Sequence, residues 1–385
     1  MSRSISVCSL ALAAICASTV LASAQVTSSP TDNDSLNPAS SSVAYVYVSN
    51  PASSTANQIN AYAAASNGAL TAIPGSPFKQ NVNYMAVNGA WLFGVANMDE
   101  DIYSLKIGSN GALSLKDEYT VVTNGDGVIS VYLDHTGSTL YGDLYSTNND
   151  YLSYSVNQSN GMITAIGDLP GGPPNNSPVS FIGNNVFAYS SSCYHFGPEI
   201  IGVERASSGT LSYLNNFNPA YPAERSGGFY CPFLAAADPT NHVAIAIEPL
   251  TSSWAQDGPW QLATYTADAS GNLTTNSTYQ NMPSVLVGTV SAYWMSPSGK
   301  YLAVGGTSGL QIFHFNGANP ITKFTGLLTS SPINQIFWDN ANHVYAISQK
   351  AGKLFVYTVT STGVTQGPGS PHAIKSPQNL VVLPK

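Results

Sequence analysis

The chain has 385 residues, of which only 8% are charged, and its formal net charge is -8. Soluble globular proteins carry about 25% charged residues, so hydroxyl and amide side chains keep this surface hydrated. Because the balance is acidic and no basic stripe exists to neutralise phosphates, the composition excludes nucleic-acid binding and gives no reason to expect attraction to an anionic membrane.

The first 24 residues have the layout of a secretory signal peptide. Arg3 provides the positive start, Leu10 to Leu21 is apolar, and Ala22-Ser23-Ala24 is a small-residue cleavage site. The apolar stretch is too short to cross a bilayer, and no later segment approaches about 20 continuous apolar residues. A lipoprotein anchored through Cys16 is the alternative, which the bulky Ile15 disfavours. We therefore predict a secreted or periplasmic protein with no membrane insertion.

Residues 25–42 form a spacer rich in Ser, Thr, Asn, Asp and Pro. Its apolar content is too low for packing, so we predict that the spacer is disordered. Residues 43–385 remain as the folded part. Their number allows one large domain or two smaller ones, and internal repeats decide between these.

A glycine-bearing turn recurs seven times along the folded part. Successive glycines are 43, 50, 48, 62, 46 and 46 residues apart, which marks a repeated unit. The turns are Asn67-Gly68, Asn110-Gly111, Asn160-Gly161, Ser208-Gly209, Ser270-Gly271, Asn316-Gly317 and Thr362-Gly363. Seven units of about 45 residues are typical of a β-propeller.

The sixth unit shows the four strands of a blade most clearly. Its runs of β-branched and aromatic residues are Thr289 to Met295, Tyr301 to Val304, Leu310 to Phe315 and Ile321 to Leu327, separated by turns rich in Gly, Asn and Pro. Such runs predict strands and hairpins. No segment of the folded part sustains a helical apolar period with caps, so the sequence predicts an all-β, seven-bladed propeller of four-stranded antiparallel blades.

The two ends of the folded part predict how the ring closes. Gln378 to Leu383 resembles the first strand of a unit, yet no unit follows it. The opening unit begins directly with Val43 to Ser49, which is a strand of the second type. We therefore expect the C-terminal strand to complete blade one, which leaves few exposed strand edges.

Blade one carries a recognisable residue pattern. It consists of Tyr47-Val48-Ser49-Asn50, Ile59-Asn60-Ala61-Tyr62, Gly68-Ala69-Leu70-Thr71 and Gly75-Ser76-Pro77-Phe78. This pattern resembles the blade signature of the bacterial seven-bladed propeller lactonases, a family similar to 6-phosphogluconolactonase and the carboxymuconate cycloisomerases. Gly369-Ser370-Pro371-His372 repeats the last element, whereas blade two departs from the signature at Phe93 to Asn97. The resemblance implies the fold strongly and lactone hydrolysis as an expectation.

Two cysteines remain after cleavage of the signal peptide. In a propeller, the loop joining strands two and three of a blade lies on the same face as the loop that enters the next blade; we call this the candidate face. Cys193 lies in the former loop of blade four, and Cys231 lies where the chain enters blade five. We predict a disulfide between them, contributing about 2–4 kcal/mol. Two reduced, buried thiols are the alternative, and the spacing is not that of a zinc motif.

The loops around these cysteines carry the candidate catalytic residues. Ser192 to Ile200 contains His195 and Glu199, and Pro219 to Tyr230 contains Glu224 and Arg225. An Arg beside carboxylates and a His can bind a carboxylated lactone and activate water. In this hypothesis His195 is the base, Arg225 clamps the carboxylate, Glu199 orients, and Glu224 helps to bind the substrate. The alternative is that these are surface charges in ordinary ion pairs.

The longest insertion belongs to blade five. Glu248 to Gln261 contains Trp254, Asp257 and Trp260 among Ser, Gly and Pro. Exposed aromatic residues beside a carboxylate resemble a sugar-stacking platform, so we predict substrate-binding roles for these three. Packing of the tryptophans against a neighbouring blade is the alternative.

Other motifs are weaker or absent. Asp99-Glu100-Asp101 and Asp150 also map to candidate-face loops, but the ordered spacing of a calcium loop is missing. The sequence contains no nucleophile elbow, zincin helix or phosphate loop. We predict no metal and no cofactor.

The sequence therefore favours a monomeric, lactonase-like hydrolase whose partner is a small-molecule lactone of a sugar or carboxylate. The scarcity of Lys and Arg, 12 in all, disfavours a phosphorylated substrate. Two alternatives remain open: a non-catalytic propeller that binds carbohydrate or an envelope protein, and a purely structural scaffold.

Overall fold

A computed structural model describes residues 42–50, 58–96, 100–120, 127–145, 151–170, 179–194, 197–223 and 227–385. These residues form 30 β-strands arranged as seven antiparallel sheets. No helix long and apolar enough to cross a membrane occurs in the described part of the chain. The predicted all-β, seven-bladed propeller is confirmed. The predicted signal peptide, 1–24, and all but the last residue of the predicted spacer, 25–42, lie outside the described residues.

The first four blades follow one another along the chain. Blade one contains β1 (Ala44–Asn50), β2 (Gln58–Ala64), β3 (Leu70–Ala72) and the short β4 (Phe78–Lys79). Blade two contains β5 (Tyr84–Asn88), β6 (Trp91–Val95), β7 (Asp101–Ile107) and β8 (Leu113–Thr120). Blade three contains β9 (Gly127–Leu133), β10 (Thr139–Tyr145), β11 (Tyr151–Val156) and β12 (Ile163–Leu169). Blade four contains β13 (Ser180–Phe181), β14 (Phe187–Tyr194), β15 (Gly197–Arg205) and β16 (Leu211–Tyr213).

The remaining blades repeat the pattern. Blade five contains β17 (Gly228–Ala237), β18 (His242–Thr251), β19 (Gln261–Ala267) and β20 (Leu273–Thr274). Blade six contains β21 (Val290–Met295), β22 (Tyr301–Gly306), β23 (Gly309–Asn316) and β24 (Asn319–Lys323). Blade seven contains β25 (Gln335–Trp338), β26 (His343–Ser348), β27 (Lys353–Val359), β28 (Val364–Gln366) and the short β29 (His372–Ala373). The chain ends with β30 (Asn379–Pro384).

The C-terminal strand closes the ring, as the sequence predicts. β30 pairs antiparallel with β1, from Ala44 opposite Pro384 to Ser49 opposite Asn379. The side-chain oxygen of Asn379 also accepts a hydrogen bond from the Met85 backbone N–H at 2.9 Å. The last strand therefore joins blade one to blade two as well as completing blade one.

The hydrophobic core lies between adjacent blades. The second strand of a blade is buried on both faces, as in β22, where every residue from Tyr301 to Gly306 is buried. Separate clusters of buried residues fill successive interfaces, with Leu262 of blade five and Phe313 of blade six, for example, in the same cluster. Continuous burial explains why these strands are apolar throughout rather than alternating.

Five of the seven repeated glycine turns are attached to the preceding blade by a hydrogen bond. At five interfaces a hydroxyl group of one blade donates to the carbonyl of the turn glycine of the next, and we call this contact the glycine bridge. The bridges are Tyr47 to Gly111 at 2.9 Å, Ser104 to Gly161 at 3.0 Å, Tyr141 to Gly209 at 2.8 Å, Tyr189 to Gly271 at 2.7 Å and Thr264 to Gly317 at 2.6 Å. The repeat in the sequence is therefore a repeat of contacts between blades.

Glycine is required at these turns for two reasons. Gly161 has a φ of 76° and Gly271 a φ of 81°, in the left-handed region where other residues are strained. A Cβ added at Gly161 would lie 2.4 Å from Trp91, and one at Gly271 would lie 2.8 Å from Phe187. The backbone of each turn therefore approaches the preceding blade more closely than a side chain would allow.

Removing one hydroxyl group tests the glycine bridge. We expect Tyr189→Phe to lower the free energy of unfolding by about 1–2 kcal/mol, because a buried carbonyl loses its donor while the ring packing is kept. Urea denaturation of the variant and of the wild type measures the difference. The matched control is Tyr213→Phe, at a 41% exposed tyrosine, which should change stability much less. Equal losses in both variants would contradict a special role for the bridge.

Candidate functional site

The predicted disulfide is confirmed. Cys193, near the end of β14, is bonded to Cys231, in the first half of β17, with their Cα atoms 5.3 Å apart. Both cysteines are buried and form a small cluster with Leu250, against which Phe229 and Phe233 pack. The bond therefore joins blades four and five at the candidate face.

The blade-four part of the predicted site is described in part. Glu199 lies in β15 opposite Ser192, and its side chain is exposed. The Tyr221 hydroxyl donates to the Pro198 carbonyl at 3.1 Å. This bond attaches the segment after β16 to the start of β15. Burial raises the pKa of Tyr221, and the charge of Glu199 adds to the rise, so this carboxylate lies near the phenol. His195 lies outside the described residues.

Glu224 and Arg225 also lie outside the described residues. The residue before them, Ala223, forms an isolated parallel bridge with Thr278. The described residues begin again at Gly227, which leads into β17 and Cys231. The assignment of catalytic roles to His195 and Arg225 therefore stays a prediction.

The two tryptophans of the blade-five insertion have opposite environments. Trp260 is only 3% exposed, and its ring packs against Phe233 at 4.7 Å between centroids. Trp254 is 54% exposed and meets Phe229 edge to face at 4.7 Å. Trp260 thus supports the core between blades five and six, and Trp254 is the tryptophan that a ligand can reach. Asp257 lies between them in sequence and is half-buried.

Sequence reasoning missed a buried carboxyl group in blade three. Asp143 lies in β10, two residues before the strand ends at the candidate face, and is 1% exposed. Its oxygen accepts a hydrogen bond from the Ser130 hydroxyl at 3.3 Å, and Tyr151 lies opposite it in β11. Burial raises the pKa of Asp143 to about 7, and the bond from Ser130 only partly opposes the rise. One acidic residue in an otherwise apolar second strand is the signal that could have found it.

Other buried aspartates have a structural explanation that Asp143 lacks. Asp339 accepts the backbone N–H groups of Ala341 and His343 at 2.9 and 2.8 Å, and so fixes the turn between β25 and β26. Asp238 fixes the corresponding turn of blade five in the same way. Asp143 lies instead within a strand at the opposite end of its blade. A carboxyl group whose pKa is raised and which stabilises no turn is a candidate functional group. The burial of Asp143 nevertheless prevents direct contact with a ligand.

A cavity of about 320 Å³ lies among the inner strands of blades four to six. Its lining includes Phe181, Tyr293 and Asp238. The Asp238 carboxylate is already engaged by Thr240 and His242, so the cavity offers mainly apolar surface.

Only two of the four acidic residues noted in the candidate-face loops of blades two and three lie within the described residues. Asp99 and Asp150 lie outside them, Glu100 is exposed, and Asp101 accepts a hydrogen bond from Thr120 at 2.6 Å. No group of three or more His, Cys, Asp or Glu side chains comes together among the residues that the structure describes.

Comparison with known proteins identifies the fold. No family model matches the chain, and no match is found among curated protein sequences. Among solved structures, the periplasmic gluconolactonase of Pseudomonas aeruginosa aligns with a TM-score of 0.62 at 14% identity, covering 88% of this chain and 98% of that one. The chain has the fold of a propeller lactonase.

Two further solved structures align with this chain. A Bacteroides fragilis protein proposed to be a 6-phosphogluconolactonase aligns with a TM-score of 0.60 at 12% identity, covering 89% of this chain and 99% of that one. A Lactobacillus plantarum protein aligns with a TM-score of 0.64 at 15% identity, over the same shares of the two chains. Identities this low establish the fold alone, and the resemblance seen in blade one is confirmed at that level.

The raised pKa of Asp143 predicts an unusual dependence of stability on pH. Its pKa is 3.8 in an ordinary environment and about 7 in the fold. The folded state therefore binds the proton more tightly, and this stabilisation is complete below about pH 4 and is lost as the pH rises through 7. Asp143→Asn stays neutral, so its stability relative to wild type should increase by roughly 3–4 kcal/mol between pH 4 and 8.

Urea denaturation at several pH values between 4 and 8 measures this difference. The matched control is Asp168→Asn, which removes an exposed carboxylate of the same blade and should follow the wild-type profile. Parallel profiles for Asp143→Asn and wild type would show that the carboxyl group ionises as freely in the fold as in water.

Proposed function

We propose that this protein is an extracytoplasmic lactonase that hydrolyses a small, unphosphorylated sugar or carboxylate lactone at the candidate face. The observation that carries the proposal is the disulfide between Cys193 and Cys231. Cys193 precedes His195 by two residues, and Cys231 follows Arg225 by six. The bond thus tethers the two segments that hold the candidate base and the candidate clamp.

Glu199 supports the same arrangement from a described position. Its carboxylate lies near Tyr221, which is in the segment that leads to Arg225. A carboxylate beside a histidine base orients the imidazole and stabilises its protonated form. Glu199 is exposed at the candidate face, where a substrate could reach it.

The proposed reaction is ordinary ester hydrolysis. The His195 imidazole removes a proton from water, and the resulting hydroxide attacks the lactone carbonyl to form a tetrahedral oxyanion. Collapse of this intermediate breaks the ring C–O bond, and the protonated imidazole returns its proton to the leaving alkoxide. The product is the open-chain hydroxy acid. Arg225 binds a substrate carboxylate in bidentate fashion, which fixes the carbonyl against the attacking water.

Composition and cross-linking support the substrate class and the compartment. The whole chain has only 12 Lys and Arg residues, and phosphate recognition relies on clusters of these side chains. A disulfide persists in oxidising compartments, in agreement with export. The exposed Trp254 favours carbohydrate binding as a second function, and one protein could carry out both.

Lactone hydrolysis by the purified mature chain tests the proposal. We expect turnover of gluconolactone or of a carboxylated lactone above the buffer rate, with His195→Ala and Arg225→Ala each lowering kcat/KM by about 100-fold or more. Proton release at constant pH measures the rate. Arg225→Ala should raise KM more for the carboxylated substrate than for the neutral one.

The control for charge removal is Lys300→Ala, because Lys300 is exposed in the β21–β22 turn of the opposite face. This variant should keep full activity. Buffer rates for wild type with every substrate would reject hydrolysis of these lactones. Full activity in Arg225→Ala would reject the assigned site while leaving hydrolysis in place.

A further inference from the structure

The second and third strands of blade five are joined through a rigid hairpin tip. The Thr251 N–H donates to the Ala255 carbonyl at 2.8 Å, and the Trp254 N–H donates to the Thr251 carbonyl at 3.0 Å. Below the tip, the Asp257 N–H donates to the Pro249 carbonyl at 2.8 Å. We call residues 249–257 the blade-five hairpin. These hydrogen bonds order the backbone of the tip on both sides of Trp254.

The backbone conformation of Trp254 at this tip costs conformational free energy. Its φ is 64°, in the left-handed region that side-chain-bearing residues rarely adopt. It is 54% exposed, whereas Trp91, Trp260 and Trp338 are at most 3% exposed. The left-handed φ is unfavourable for a residue with a side chain, and more than half of the indole surface stays outside the core, so Trp254 is a candidate for contact with a ligand.

The indole is oriented by one neighbouring ring. Phe229 meets it edge to face, with 4.7 Å between centroids and 71° between planes. Phe229 lies in β17, two residues before Cys231, so the disulfide anchors the strand that supports the indole. The aromatic surface is therefore held in place before any ligand arrives.

A small recess adjoins the same phenylalanine. It has a volume of about 10 Å³, and its lining includes Phe229, Tyr230, Asp257 and Tyr279. This volume is about that needed for one water molecule, and so for one hydroxyl group. Asp257 contributes to its wall, and a carboxylate accepts hydrogen bonds from hydroxyl groups.

These features match the chemistry of a sugar ring. One face of a pyranose presents C–H groups, which pack on an aromatic surface, while its hydroxyl groups require polar acceptors beside that surface. The acidic Asp257 in the wall of the recess disfavours an anionic ligand at this position. We infer that Trp254, Phe229 and Asp257 form a binding site for a neutral saccharide, with the ring stacked on the indole and one hydroxyl in the recess. The site does not depend on the hydrolysis proposed above.

Affinity electrophoresis of the mature chain in gels containing soluble neutral polysaccharides, namely mixed-linkage β-glucan, xylan or starch, tests the inference. We expect at least one of them to retard the wild type. Trp254→Ala should weaken binding at least tenfold, Trp254→Tyr should keep part of it, and Asp257→Asn should weaken it less than Trp254→Ala. Leu286→Ala removes another exposed apolar residue, 51% exposed, and should bind like wild type.

The outcomes separate this site from the others. Lactone turnover that survives in Trp254→Ala together with lost retardation would support a separate saccharide site. The absence of retardation by all three polysaccharides, or equal retardation of wild type and Trp254→Ala, would overturn the inference. Sedimentation with phosphatidylcholine vesicles that depends on Trp254, without retardation by any polysaccharide, would also overturn it, in favour of a lipid surface.

Discussion

The glycine bridge is the contact on which the propeller most depends. A blade buries its two faces only against its neighbours, so the angle and distance between blades must be set at every interface. A hydroxyl group from one blade reaches the carbonyl of a glycine turn in the next, at distances of 2.6–3.0 Å in five interfaces. Because a buried carbonyl without a donor costs about 1–3 kcal/mol, the bond favours one relative position and orientation of adjacent blades.

The bridge also determines which parts of the chain are free to vary. The turns that accept it join strands three and four, and a Cβ added at four of their five glycines would lie within 2.8 Å of the preceding blade. None of these bridges involves a described residue of the loops between strands two and three, and blade five extends one of these loops into a hairpin with an exposed tryptophan. Closure by β30 completes the ring without using these loops. The turns between strands three and four therefore stabilise the fold. The loops between strands two and three are where residues for binding or catalysis can be added.

The sequence predicts the fold well because the same residues serve both the local turn and the contact between blades. Gly161 must have a positive φ for its turn and must lack a Cβ for its approach to Trp91, so two independent requirements preserve it. Cys193 and Cys231 were likewise predictable, since the blade pattern places both on one face. Each of these predictions depends on repetition along the chain rather than on the packing of a single side chain.

The site is less predictable for a physical reason. Trp254 and Trp260 lie in the same insertion with similar neighbours in sequence, yet one is exposed and the other buried, since β19 begins at Gln261 and draws the residue before it into the core. The sequence pattern predicts only that Asp143 lies in a strand. Its burial beside Ser130, seen in the structure, is what raises the pKa of its carboxyl group. Burial arises from contacts between blades, which a linear pattern of residue types does not contain.

The solved structures that align with this chain show how much of its sequence can change within one fold. They share 12–15% of its residues and still cover 88–89% of it. Function must therefore be argued from the loop residues themselves. In this protein the disulfide links blades four and five at the candidate face, and backbone hydrogen bonds order the blade-five hairpin, so selection for binding or catalysis is expected to act on the loops beside them.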